Sequence, residues 1–151
     1  MNFQQKQRQK YDFFRIFATK SLIMKASYLK RYPLSHMTIA LVVILSLAPF
    51  KEIPQLENIN LLDKWAHFIM YGGTCSVIWW EYWRQHTKID WQHVALGAIV
   101  LPVVMGGTLE LMQKYLTVTR SGDWLDFVAN DIGVGIGLII GYFIIPKICK
   151  G

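Results

Sequence analysis

Residues Glu110 to Gly137 read ELMQKYLTVTRSGDWLDFVANDIGVGIG. The stretch starts at the polar end of one apolar block and finishes inside the next. Glu110 and Gln113 close the first block. Arg120, Ser121, Gly122 and Asp123 give a turn followed by a helix cap. Asp123, Asp126 and Asn130 then fall on one helical face, and Gly133, Gly137 and Gly141 continue down that side. The spacing predicts a helix with a polar first half and a smooth second half suited to close helix packing.

Working outward, the apolar residues gather in four blocks, 34–50, 65–83, 93–113 and 124–145, within a chain that is 53% hydrophobic and 17% charged. The charged share is below that of ordinary soluble domains. The shortest block would make a helix of about 26 Å, enough for a thin bilayer core. Blocks of this length, with Trp and Tyr at their ends and short links between them, predict an all-α membrane protein, a bundle of four transmembrane helices over residues 34–148. Ser46-Leu-Ala48 resembles a signal-peptidase site, but Pro49 follows directly, so block one is read as an uncleaved first helix.

The distribution of the 16 Lys and Arg residues sets an orientation. Eight precede block one, Arg84 and Lys88 lie in the second link, and Lys147 and Lys150 in the tail. Lys51, Lys64, Lys114 and Arg120 lie on the other side. Both termini are therefore expected on the cytoplasmic side of the membrane, with loops 51–64 and 114–123 outside. Residues 1–33 form a basic cytoplasmic arm, with an interfacial helix and a partly ordered segment equally compatible with its weak amphipathic pattern. No nucleic-acid motif accompanies this basic region, so anionic lipid is its expected partner. Cys75 and Cys149 fall at different depths and predict no disulfide.

Block two places Asp63, His67, Tyr71 and Thr74 on one helical face. Asp63 can cap this helix, and a neutral His67 bonded to a neighbouring helix accounts for the histidine equally well. Gly72-Gly73, Gly106-Gly107 and Pro102 predict close contacts and a kink. Glu81 to Trp91 reads as a solvated link. His86 and His93 lie at the opposite membrane face from His67, which excludes a three-histidine metal site. With this topology Asp63, Lys64, His67 and Tyr71 on helix two, Glu110 and Gln113 on helix three, and Asp123, Asp126 and Asn130 on helix four meet at one depth, with Arg120 above them. Ionisable groups at membrane depth are costly, and such a coincidence points to function.

The ordered set Asp63-Lys64-x-x-His67-Phe68-x-x-Tyr71, Glu110-x-x-Gln113 and Arg120-x-x-Asp123-x-x-Asp126-x-x-x-Asn130-x-x-Gly133 resembles the VanZ-like membrane protein family. The resemblance covers residues 34–145. It implies a small multi-spanning bacterial inner-membrane protein, and through the family's namesake a link to resistance against teicoplanin-type glycopeptide antibiotics. It implies no mechanism.

Three functions suit these residues. In the first, the pocket binds a lipid head group or a cell-envelope or glycopeptide-related ligand without turnover. In the second it is an enzyme on a lipid-linked envelope precursor, with His67 and Glu110 as the acid–base pair, Arg120 holding an anion and Asp126 orienting His67. In the third, the polar residues form a network that only orients helices. The spacing matches no metal signature, so no metal site is expected, and the residues name no cofactor. A continuous polar path is missing, which disfavours a channel. The glycine faces permit a homo-oligomer.

Overall fold

The computed structural model describes residues 29–48, 62–116 and 123–150. The chain divides into two units, Met1–Pro33 and Leu34–Gly151. Most of the basic arm, most of the first loop, and Arg120 lie outside the described residues. Among the described residues every regular element is a helix: α1 (Pro33–Leu47), α2 (Leu62–Gln85), α3 (Trp91–Ala95), a π-helical turn (Leu96–Val100), α4 (Leu101–Leu116), α5 (Trp124–Phe143) and α6 (Ile145–Lys150). The α3, π and α4 segments run on as one rod, Trp91–Tyr115.

Helix ends follow from local chemistry. Pro33 opens α1, where its missing N–H costs nothing. The N–H groups of Leu34 and Ser35, which have no partner within the helix, donate to the Glu81 carboxylate of α2 at 2.9 and 2.8 Å, and Ser35 Oγ adds a 2.6 Å bond. Glu81 is thus the buried cap of another helix, which corrects its reading as part of a solvated link: its carboxylate satisfies three donors where water would otherwise be needed. The rest of that link is also tied down in part, since Tyr82 Oη donates to the Lys88 carbonyl and accepts from the Asp90 N–H. Asp90 caps α3 through the N–H groups of Gln92 and His93. Its carboxyl is held below the usual range, chiefly by the His93 side chain.

Pro102 explains the π turn. Lacking an N–H, it leaves the Ala98 carbonyl without its partner four residues on. The Cys75 thiol of α2 donates to that carbonyl at 3.1 Å. The predicted irregularity at Pro102 therefore takes the form of a π turn just ahead of it, stabilised from the neighbouring helix. Cys75 and Cys149 are both free thiols.

The main packing seam joins α2 and α5. A Cβ on Gly133 would come within 2.5 Å of the Phe68 carbonyl oxygen, and one on Gly137 within 2.6 Å of Cys75 Cβ; one on Gly141 would overlap the Trp79 ring. Only hydrogen at these positions lets the two backbones meet, which is the small-residue packing the glycine spacing predicts. Trp79, Trp83, Val94, Ala98 and Val134 fill the core below the seam, and Trp83 Nε1 donates to the Gly141 carbonyl at 3.0 Å.

The distribution of polarity is inverted. His67, Glu81, Glu110, Gln113, Asp126 and Asn130 are buried, whereas Ile44, Ile69, Val104, Leu111, Ile132 and Ile139 are exposed. Water on that exterior would oppose folding; hydrocarbon would not. Two helices, Trp91–Tyr115 and Trp124–Cys149, are long and apolar enough to cross a membrane, and only 33% and 28% of their apolar windows are buried. The core helix of a soluble protein would be covered along most of its length. The α1 helix is apolar but shorter.

Candidate functional site

Three helices bring their polar residues to one end of the Leu34–Gly151 unit. On α2, Asp63, Lys64 and His67 occupy the first two turns. Asp63, expected to cap α2, is instead the second residue inside its first turn, and its Oδ1 is 3.9 Å from His67 Nε2. On α5, Asp123 is the N-cap and accepts from the Leu125 N–H at 3.0 Å, as the Ser-Gly-Asp signal predicts. Asp126 and Asn130 follow on the same face and are buried.

Lys64 joins the two helices. Its Nζ donates to Asp123 Oδ2 at 3.0 Å and Asp126 Oδ1 at 3.2 Å. The bond to Asp123 raises the Lys64 pKa above 10.5, with partial desolvation acting against it and Asp126 reinforcing the rise. Asp123 is held below the usual carboxylate range by the Leu125 N–H and then by Lys64.

His67 is the centre of the cluster. It is 2% exposed. Its Nδ1 lies 3.0 Å from Asn130 Oδ1, an acceptor, so Nδ1 carries a proton and donates, and Nε2 faces the carboxylates of Asp63 and Asp126. Asp63 Oδ1 and Asp126 Oδ2 each stand 3.9 Å from Nε2, beyond hydrogen-bond range. Glu110 Oε1 is 3.9 Å from Nδ1, and Glu110 Oε2 accepts from the Asp123 N–H at 3.2 Å. Asn130, not Asp126, therefore orients the imidazole, and Glu110 flanks it without bonding to it directly.

The remaining expected residues divide. Tyr71 is buried one turn below His67, where its ring and Asn130 close over Gly106; a Cβ there would meet Asn130 Nδ2 at 3.3 Å and Tyr71 Cε1 at 3.4 Å. Asn130 Nδ2 has no hydrogen-bond partner among the described residues. Gln113 donates to the Ser46 carbonyl at 2.7 Å and so ties α4 to α1. Arg120 lies outside the described residues.

Beside this cluster an open groove of about 560 Å³ runs between α4 and α5. Val103, Val104, Leu111, Trp124 and Phe127 give it apolar walls, and Glu110, Lys114 and Asp123 give it polar ones. Glu110 and Asp123 belong to the groove and to the buried cluster at once. Lys114 and the two aromatic residues are not among the positions singled out in the sequence. The Glu110–Lys114 spacing, four residues on one helix, was the signal available for the lysine.

No curated protein and no solved structure matches the chain. The VanZ/LLP1 family model matches residues 13–145, which include every residue of the cluster and the groove. The match begins within the basic arm, well before the stretch whose motifs carry the resemblance. With most of its length under this match, the chain belongs to the VanZ/LLP1 family.

Proposed function

We propose that this is a multi-pass protein of the bacterial cytoplasmic membrane with four spans and both termini inside. Its outward end binds an amphiphile, a phospholipid or lipid-linked cell-envelope precursor, and through that ligand affects resistance to glycopeptide antibiotics or envelope stress. The observation that carries this reading is the groove. Its apolar walls suit an acyl chain, and Lys114, Glu110 and Asp123 supply both charge signs to a head group. Family membership and the two apolar helices support a membrane setting. The 24 residues of α2 make a helix of about 36 Å, long enough to span despite its polar turns.

Native mass spectrometry of the full chain released from membranes tests this. A retained amphiphile should disappear when Leu111→Trp or Val104→Trp fills the groove, with folding unchanged because both side chains are more than half exposed. Equal retention by wild type and both filled variants would remove the groove from the account. A catalytic reading, with His67 Nε2 as the base, is favoured by the two carboxylate oxygens that flank that nitrogen at 3.9 Å. It predicts that the ligand leaves as a changed product, whereas binding returns it intact.

A further inference from the structure

His67 Nε2 stands 3.9 Å from a carboxylate oxygen of Asp63 and of Asp126, apart from the residues that line the groove. We propose that Asp63, His67 and Asp126 form a site for a divalent transition cation, Zn²⁺ or Mn²⁺. One imidazole nitrogen and one oxygen from each carboxylate lie within 4.8 Å of one another. Both oxygens stand at the same 3.9 Å from Nε2. That spacing is too long for hydrogen bonds, and an ion can bridge it. Ligands about 2.0–2.2 Å from an ion in a tetrahedral site are themselves about 3.4 Å apart, so closing the site draws Nε2 and each oxygen together by about half an ångström and the widest pair of ligand atoms by up to about 1.4 Å.

Two features separate this cluster from an ordinary group of acids. First, Asn130 Oδ1 holds the proton on Nδ1, which leaves Nε2, the nitrogen that faces both carboxylates, as the one to ligate. Histidine ligands are generally fixed by such a bond on the opposite ring nitrogen. Second, Lys64 binds Oδ1 of Asp126 at 3.2 Å, which orients Oδ2 toward the imidazole. The ligand set of one nitrogen and two carboxylate oxygens suits a borderline or hard cation and disfavours a soft one. Three protein ligands leave positions open for water or an anionic group. The Asp63 side chain is 50% exposed and gives the ion a way in, while His67 and Asp126 hold it from below. Sequence spacing did not predict this site because the ligands come from two helices and their contacts cross the glycine seam.

The test uses the purified full chain in detergent, stripped with a chelator and titrated with Zn²⁺ or Mn²⁺ salts alone. Bound metal is counted by inductively coupled plasma mass spectrometry, and Co²⁺ is followed by its visible d–d absorption. One equivalent per chain is expected, with a d–d band that reports an imidazole and oxygen ligand set. Asp63→Asn should bind at least about tenfold more weakly. The half-exposed position of Asp63 makes this the variant that keeps the metal-free fold, and the metal-free melting temperature verifies it. Asp126→Asn should lose binding as well. A stripped wild type that takes up no ion above the detergent blank overturns the proposal, as do Asp63→Asn and Asp126→Asn proteins that both bind as the wild type does. Retained amphiphile is read on the same samples, so metal binding and groove binding can fail separately.

Discussion

His67 Nδ1 donates across the α2–α5 seam to Asn130 Oδ1 at 3.0 Å, with both side chains buried. The bond sets which imidazole nitrogen is free. In ¹⁵N spectra of histidine-labelled protein, His67 Nδ1 should be protonated and hydrogen-bonded. Asn130→Leu should release that preference and destabilise the fold by about 1–3 kcal/mol, because a buried donor loses its acceptor. An Nδ1 without a proton in the wild type would contradict the assignment.

The seam itself can be tested without touching a polar group. Gly133→Ala places a methyl 2.5 Å from the Phe68 carbonyl oxygen, a backbone atom that cannot rotate away. The helices must separate, at a cost of about 1–3 kcal/mol. Gly135, whose Cβ would meet nothing within 4 Å, is the control. Unfolding in mild detergent should show Gly133→Ala well below the wild type and Gly135→Ala close to it.

Glu81 closes the other end of the molecule. Glu81→Ala leaves the Leu34 and Ser35 N–H groups to water and should cost about 1–3 kcal/mol. Hydrogen exchange should localise the loss to the first turn of α1. Exchange there equal to that of the wild type would mean that Glu81 contributes nothing to the cap.

The Lys64–Asp123 pair predicts a pH window. Asp123 has its pKa lowered on folding, so its contribution is present above the unfolded value near 3.8 and is lost as pH falls through the folded value below that. Lys64 has its pKa raised, so its contribution is present below 10.5 and is lost as pH rises through the folded value above that. Asn at position 123 still caps a helix, so Asp123→Asn removes the charge alone. The melting difference between wild type and Asp123→Asn should persist from pH 5 to 9, shrink with added salt, and vanish in strong acid. A difference independent of pH would assign the effect to capping.

Much of this was legible in the sequence because periodicity reports which side of a helix is apolar or small. The spacing of Asp123, Asp126 and Asn130, and of Gly133, Gly137 and Gly141, carried through to one polar face and one packing face of α5. Partner identity was less legible. Asn130 and Asp126 have the same helical phase relative to His67, and only the depth of the glycine seam decides which one reaches Nδ1. Glu81 looked like one charge among several because its partners, Leu34 and Ser35, lie more than forty residues away. The π turn follows from Pro102 only once Cys75 is seen to serve the freed carbonyl.

The central claim is that the buried polar cluster and its groove serve a ligand and do more than hold helices together. Glu110 tests it most directly, since it touches both, and Glu110→Gln keeps an oxygen for the Asp123 N–H. Native mass spectrometry of matched, folded wild-type and Glu110→Gln protein is the measurement, with thermal unfolding of the same samples. We expect Glu110→Gln to melt near the wild-type temperature and to lose the co-purifying amphiphile. A variant that retains the amphiphile, or loses it only in proportion to its loss of fold, would contradict the account.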